Sequence, residues 1–242
     1  MIYILPLFSV ILGYFAALLL KPTNKKNLKL LLAFSGAFLL SLTVMHLLPE
    51  VYEASAGGHD GHGHGHDEHN HNNPIGLYIM AGIVFQIILE YFSKGAEHGH
   101  VHVHKHEHGH SDTMPWLLFI SLCTHALLEG MPVSHHNDLA WGIAIHHFPI
   151  AIILTAFFVN SGLNKVAILL FMMAFAVMTP LGTLMSSKLE FIGHYFTEIS
   201  AVVVGILFHI SSTIIFESSE GHKFNLAKLL VIILGIIMAY FL

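Results

Sequence analysis

Residues 116–132 read WLLFISLCTHALLEGMP, and residues 141–154 read WGIAIHHFPIAIIL. Each stretch is apolar around its whole circumference, the pattern of a helix buried in lipid and not of one lying on a surface. Each also carries ionisable groups near its middle: His125 and Glu129 in the first, His146 and His147 in the second. A charge at that depth costs roughly 2.5–3.5 kcal/mol on insertion scales, so it usually marks a path for ions or protons. Residues four apart share a helix face, which lets His125 and Glu129 grip one ion together.

The rest of the chain has the same character. Of 242 residues, 55% are hydrophobic and only 10% are charged, whereas a soluble domain carries about 25% charged residues. The composition indicates an all-α integral membrane protein. Apolar stretches long enough to cross a bilayer run over residues 2–20, 29–50, 75–93, 115–134, 139–159, 165–186, 194–216 and 225–242. Eight transmembrane helices are therefore expected, forming one transmembrane domain over 1–242. The first apolar run starts at once, with no basic segment and no small-residue cleavage site before Lys21, so it reads as a retained span. The single cysteine, Cys123, excludes an internal disulfide and a thiolate metal cage.

Lysine placement orients these spans. Lys21, Lys25, Lys26 and Lys29 flank the first connection, Lys94 and Lys105 lie in the third, Lys165 in the fifth, and Lys223 and Lys228 in the seventh; only Lys188 falls in an even-numbered one. Cytoplasmic loops are enriched in lysine. The odd connections are therefore expected inside and both termini outside.

Two histidine-rich, low-complexity segments interrupt the spans. His59, His62, His64, His66, His69 and His71 fall in an extracytoplasmic loop over 53–74. His98, His100, His102, His104, His106, His108 and His110 fall in a cytoplasmic loop over 94–113. Polar, glycine-rich or alternating sequence cannot build a core, and dense neutral imidazoles bind transition metals. The loops read as sites of metal capture, buffering or sensing; the plainer reading is a pair of solvated linkers.

Within the fourth span, Pro115 suits the first helical turn. His125 lies about ten residues in, or roughly 15 Å at 1.5 Å per residue, which is midplane depth. His146 and His147 reach similar depth in the fifth span. The short connection around His135, His136, Asn137 and Asp138 makes the two helices antiparallel neighbours. Two or three imidazoles with one carboxylate suit a borderline divalent ion, zinc first, with Fe2+, Mn2+ or Cd2+ as alternatives. Adjacent histidines point about 100° apart on a helix, so one of His146 and His147 is the better ligand and the other a supporting partner. Pro149 and Pro132 remove helical bonds to the carbonyls of Ile145 and Leu128, and broken backbone at membrane depth is common at transporter sites. The alternative for the histidines is interhelical hydrogen bonding without an ion. His46, Glu50 and His209 are weaker candidates for the entrance or pathway; an anchor at the interface is an equally simple reading of His46, and a packing hydrogen bond is a simpler reading of His209. Glu90 and Glu217 read as solvated near the cytoplasmic ends of their spans. Met45, Met172, Met173 and Cys123 read as lipid-facing or packing residues.

In the order and spacing of these motifs the sequence resembles the ZIP family of divalent-metal transporters, along nearly the whole chain. SGAFLLSLTVMHLLPE over residues 35–50 resembles that family's second span, HALLEG over 125–130 its fourth, HHFPI over 146–150 its fifth and TPLG over 179–182 its sixth. The resemblance implies a ZIP-like helix bundle that moves zinc or iron toward the cytoplasm without ATP hydrolysis. It also implies a bundle of the first, fourth, fifth and sixth spans that shifts against the other four. His125, Glu129 and His146 carry over as primary ligands, and His147 matches the position of a ligand to a second, adjacent ion. Three departures stand out: Ala126 replaces a polar residue, Ile150 an acid, and Thr179 a glutamate found in some members. They remove ligands a second ion would need, so one intramembrane site is expected, with weaker retention of the ion.

The implied cargo is a divalent metal ion, Zn2+ most simply, with no organic cofactor. The implied partners are that ion and the lipid bilayer, in the plasma membrane or a bacterial inner membrane; no nucleic acid is implied, and a homodimer is compatible with the sequence. No enzyme activity is expected. Readings from other classes are an intramembrane metallohydrolase with Glu129 as its base, and a metal sensor or storage protein that uses its loops without transport.

Overall fold

The computed structural model describes residues 2–20, 25–56, 74–93, 116–134, 137–160, 162–217 and 226–241. The described residues are helical throughout apart from short turns. A 3-10 turn at Ile2–Ile4 leads into α1 (Leu5–Leu20). There follow α2 (Lys25–Leu42), a π-helical segment (Thr43–Leu47) and α3 (Leu48–Ala56). Next come α4 (Ile75–Ser93), α5 (Trp116–Gly130), a 3-10 turn (Pro132–Ser134), α6 (Asn137–Asn160) and α7 (Lys165–Lys188). The short α8 (Glu190–His194), α9 (Phe196–Glu217) and α10 (Leu226–Tyr240) complete the order.

Six of these helical stretches are long and apolar enough to cross a membrane: Lys26–Ala56, Ile75–Phe92, Trp116–Ser134, Leu139–Val159, Lys165–Lys188 and Phe196–Phe216. They coincide with six of the eight expected spans. Leu5–Leu20 and Leu226–Tyr240 are apolar but shorter, at 16 and 15 residues. The histidine runs at 59–71 and 98–110 lie outside the described residues, as do His135 and His136.

Several boundaries differ from the sequence expectation for local reasons. The second span does not end at Glu50; it runs helically to Ala56, inside the expected 53–74 loop. It does so through a π segment in which the Leu48 N–H donates to the Thr43 carbonyl. Pro49 follows directly, and its ring cannot donate to the Met45 carbonyl and presses against it. A π turn widens the helix there, and such turns often sit at functional positions. Helix α5 is not kinked by Pro132. It stops at Gly130, and the Leu128 carbonyl accepts from the Met131 N–H at 3.1 Å. Pro149, by contrast, is carried inside a continuous α6. That helix ends on a left-handed Gly162 (φ 75°). The Gly162 N–H donates to Val159 and the Leu163 N–H to Phe158, both at 3.3 Å, the paired bonds of a Schellman cap. Asn164 then caps α7, accepting from the Val166 N–H at 3.0 Å.

The helices sort into two packed groups. In the first, α6 lies on α1, and α7 packs on both α5 and α1. Their shared core includes Val10, Leu122, Ala126, Leu154, Phe158, Phe171 and Phe175. The Ser9 hydroxyl donates to the Ala144 carbonyl, joining α1 to α6. In the second, α9 packs on α4 and α2, and α2 on α10, around Leu39, Val203, Val204 and Leu207. Each group has a close seam of glycines. A Cβ at Gly130 would strike the Thr179 carbonyl and one at Gly182 the Leu127 carbonyl; Gly82 and Gly205 stand in the same relation to Val202 and Ile79. Backbones brought this near gain dispersion contact, the main source of helix adhesion in lipid. The first group is made of the first, fourth, fifth and sixth apolar segments of the sequence.

Candidate metal centre

The short α5–α6 connection leads the sequence to expect close antiparallel neighbours. The structure differs. Helix α5 packs on α7 and α6 on α1 and α2, and between α5 and α6 side chains, not backbones, make the contact. That spacing gives room for imidazole rings, and the polar residues fill it.

His125, Glu129 and His146 are all buried, and one ligand atom of each lies within 4.8 Å of the others. His125 Nε2 is 3.0 Å from Glu129 Oε1, an i,i+4 pair on α5. His147 Nε2 is 3.0 Å from Glu129 Oε2, a contact from α6 across to α5. His146 and His147 both turn inward, their ring centroids 5.8 Å apart. Phe175 of α7 lies against the His147 ring at 5.2 Å between centroids.

This group is costly to hold without a cation. Glu129 is fully buried, and an ionised carboxylate taken out of water loses several kcal/mol of solvation even after relaxation. Oε2 is bonded to His147. Oε1 faces His125 Nε2 at 3.0 Å, while His147 Nδ1 makes no hydrogen bond. An orphaned buried atom costs about 1–3 kcal/mol. A divalent ion offsets the cost of burying the carboxylate, since it supplies positive charge between Glu129 and the imidazoles. Around tetrahedral zinc, ligand atoms at 2.0–2.2 Å from the metal stand about 3.3 Å apart. The Glu129–His125 separation of 3.0 Å already suits that figure, and a ligand atom of His146 lies within 4.8 Å of both.

The positions where the chain departs from the ZIP pattern also appear here. Ala126 and Ile150 belong to the apolar core of the first helix group. Thr179 is buried, and its hydroxyl makes no hydrogen bond. Among the described residues, the trio His125, Glu129 and His146 is the one group of three or more histidines, cysteines and acids gathered this closely.

The other candidates stand apart from this group. His46 is exposed on the π segment, with Nε2 3.2 Å from the Ala239 carbonyl of α10. It lines a cleft of about 470 Å³ with Met45, Glu50, Glu53 and the buried Leu42 and Leu139. His209 Nε2–H donates to Glu90 Oε2 at 2.8 Å, bridging α9 to α4. Glu90 is therefore engaged in a helix-to-helix pair, where the sequence reading left it solvated. Sequence reasoning gave no role to Ser35, whose hydroxyl lies 3.2 Å from His146 Nδ1, or to Glu53. A hydroxyl inside an otherwise apolar helix was the available signal for Ser35.

The fold and this group together define a class: a polytopic helical membrane protein with a buried imidazole–carboxylate centre. Comparison with known families adds a match over part of the chain. The ZIP zinc transporter family model matches residues 1–113, a family of divalent-metal membrane transporters and not of enzymes. The match covers α1 to α4 and ends before α5, so it and the α5–α6 centre come from separate parts of the chain. No curated protein matches the sequence.

Proposed function

We propose that the protein is a ZIP-type carrier that takes a divalent transition metal, zinc in the first place and iron as an alternative cargo, into the cytoplasm by alternating access. One site serves, between α5 and α6. His125, Glu129 and His146 bind the ion, and His147 holds the second carboxylate oxygen in place. The observation that carries this reading is the convergence of His125, Glu129 and His146, all buried, with one ligand atom of each within 4.8 Å of the others.

The two helix groups suggest how the ion moves. All proposed ligands belong to α5 and α6; the part of α6 after His146 shares a core with α1, α5 and α7, and Leu139, Ala140 and Ile143 before it pack with Leu39 and Leu42 of α2. The cleft beside His46 and Glu50 belongs mainly to α2 and α3. In this proposal the first group shifts as a unit against the second, so the site opens first toward the cleft and then inward. Eight crossings complete the scheme. Sixteen residues of helix span about 24 Å, so α1 and α10 cross a core of about 30 Å with their flanking residues and local thinning of the bilayer. Both termini then lie outside, and the histidine-rich segment at 98–110 receives or senses metal on the cytoplasmic side.

Zinc uptake into proteoliposomes containing the full chain tests the reading. Saturable uptake that disappears in His125→Ala/Glu129→Ala, with the helical content kept, is the expected result. Uptake unchanged by that double substitution refutes the site, and saturable binding without flux favours a sensor or store.

A further inference from the structure

Helix α2 lies in the second helix group, yet it touches the metal centre at Ser35. Two other hydroxyls of this stretch turn back on their own helix: Ser41 donates to the Ala37 carbonyl and Thr43 to the Leu39 carbonyl, both at 2.8 Å. That is the usual resort of such a side chain inside a helix. Ser35 instead reaches across to α6. Its Oγ lies 3.2 Å from His146 Nδ1, and both residues are fully buried.

We propose that Ser35 is a positioning residue for cargo binding, which orients His146 only while α2 and α6 hold their present relation. This rests on the transport reading above. A metal on Nε2 needs the lone pair there, so the neutral ring carries its proton on Nδ1. The Nδ1–H then donates to Ser35 Oγ, which fixes both the tautomer and the ring plane. Partners of this kind on the far nitrogen of a metal-binding histidine typically govern 10–100-fold in affinity.

The adjoining residue shows why the contact depends on conformation. Gly36 lies against α9 so closely that a Cβ would come within 2.9 Å of Ile214 Cγ2 and 3.1 Å of the Ser211 carbonyl. Ser35 is thus tied to the α9 side, and so is α6 before His146, through Ala140 and Ile143, whereas the stretch of α6 that follows His146 is packed into the core of α1, α5 and α7 through Ala151, Leu154 and Phe158. The Ser35–His146 bond spans the two groups. A relative shift of even an ångström or two breaks it, freeing the ring and loosening the ion at the moment the site changes access.

Initial rates of Zn2+ uptake into proteoliposomes of the full chain test this. Ser35→Ala is expected to raise KM about tenfold while Vmax stays within about twofold. Ser35→Thr, which keeps the hydroxyl, is expected to return KM to within about threefold of the original. In a His146→Ala background, Ser35→Ala is expected to change nothing further. An unaltered KM in Ser35→Ala overturns the proposal, as does a fall in Vmax at constant KM or a tenfold KM rise that Ser35→Thr fails to reverse while folded. Where Ser35→Thr lowers the melting temperature in detergent, the KM-against-Vmax split of Ser35→Ala decides. If Ser35→Ala is silent while His146→Ala abolishes uptake, the transport site stands and the positioning role falls. If His146→Ala is silent too, the site itself is wrong.

Discussion

Two histidine–carboxylate contacts between helices, His209–Glu90 and His147–Glu129, stand in different surroundings among the described residues. At the α4–α9 pair, a single imidazole, His209, meets a single carboxylate, Glu90, at 2.8 Å, with side chains 19% and 23% exposed. At the α5–α6 centre, His125, His146 and His147 gather around Glu129, the side chains are almost wholly out of solvent, and each carboxylate oxygen faces an imidazole at 3.0 Å. The difference lies in stoichiometry. A one-to-one pair satisfies itself and acts as interhelical glue, worth about 0.6 kcal/mol on average in membrane helices and seldom above 1.7. A surplus of lone pairs around one carboxylate repels itself unless something positive sits between them. Depth in the membrane is common to both and does not distinguish them.

The largest expected effect sharpens that contrast directly. His125→Ala/Glu129→Ala should lower zinc uptake more than a hundredfold, whereas His209→Ala/Glu90→Ala should leave it within about threefold; comparable losses in both would erase the distinction. Acid should act next most strongly. Ligand imidazoles must be neutral to bind metal, so protons compete with the ion for them. Lowering the pH from 7.5 to 5.5 should therefore raise KM about tenfold or more, read from uptake at matched membrane potential. A KM that falls in acid would count against imidazole ligands. Crowding the seam that holds the centre's helices together should follow. Gly182→Val places its first carbon against the Leu127 carbonyl, and overpacking of this kind costs typically 1–3 kcal/mol, visible as a lower melting temperature or a poor yield of folded protein. The smallest effect belongs to the glue pair. Glu90→Gln should reduce stability by about 1 kcal/mol or less, measured as a small shift in melting temperature, with uptake kinetics nearly unchanged.

The sequence made the helices and their buried ionisable residues legible for a simple reason. Long apolar runs in lipid have little choice but to be helical, and four-residue spacing sets His125 and Glu129 on one face without reference to the rest of the fold. What depended on tertiary contact was not legible. The extension of the second span to Ala56 follows from a π turn before Pro49, which hydropathy does not register. The pairing of α5 with α7 rather than α6 follows from Gly130 and Gly182, two small residues whose partners the sequence does not name. His46 reads from sequence either as an entrance residue or as an anchor at the interface, and neither reading names the Ala239 carbonyl that its Nε2 meets, 193 residues away in the chain. Ser35 is polar in an apolar helix, and only the approach of α6 reveals which ring it meets. The Glu90–His209 pair had one half read as solvated because the closeness of α4 and α9, set by Gly82 and Gly205, lies beyond any local pattern.

The most direct measurement is an experimental structure of the zinc-loaded protein with anomalous differences recorded at the zinc edge. The account predicts a peak between α5 and α6, at about 2.0–2.2 Å from His125, Glu129 and His146, with none at the His209–Glu90 pair. A zinc-saturated crystal with no density between α5 and α6, its metal confined to the histidine-rich segments, would contradict it.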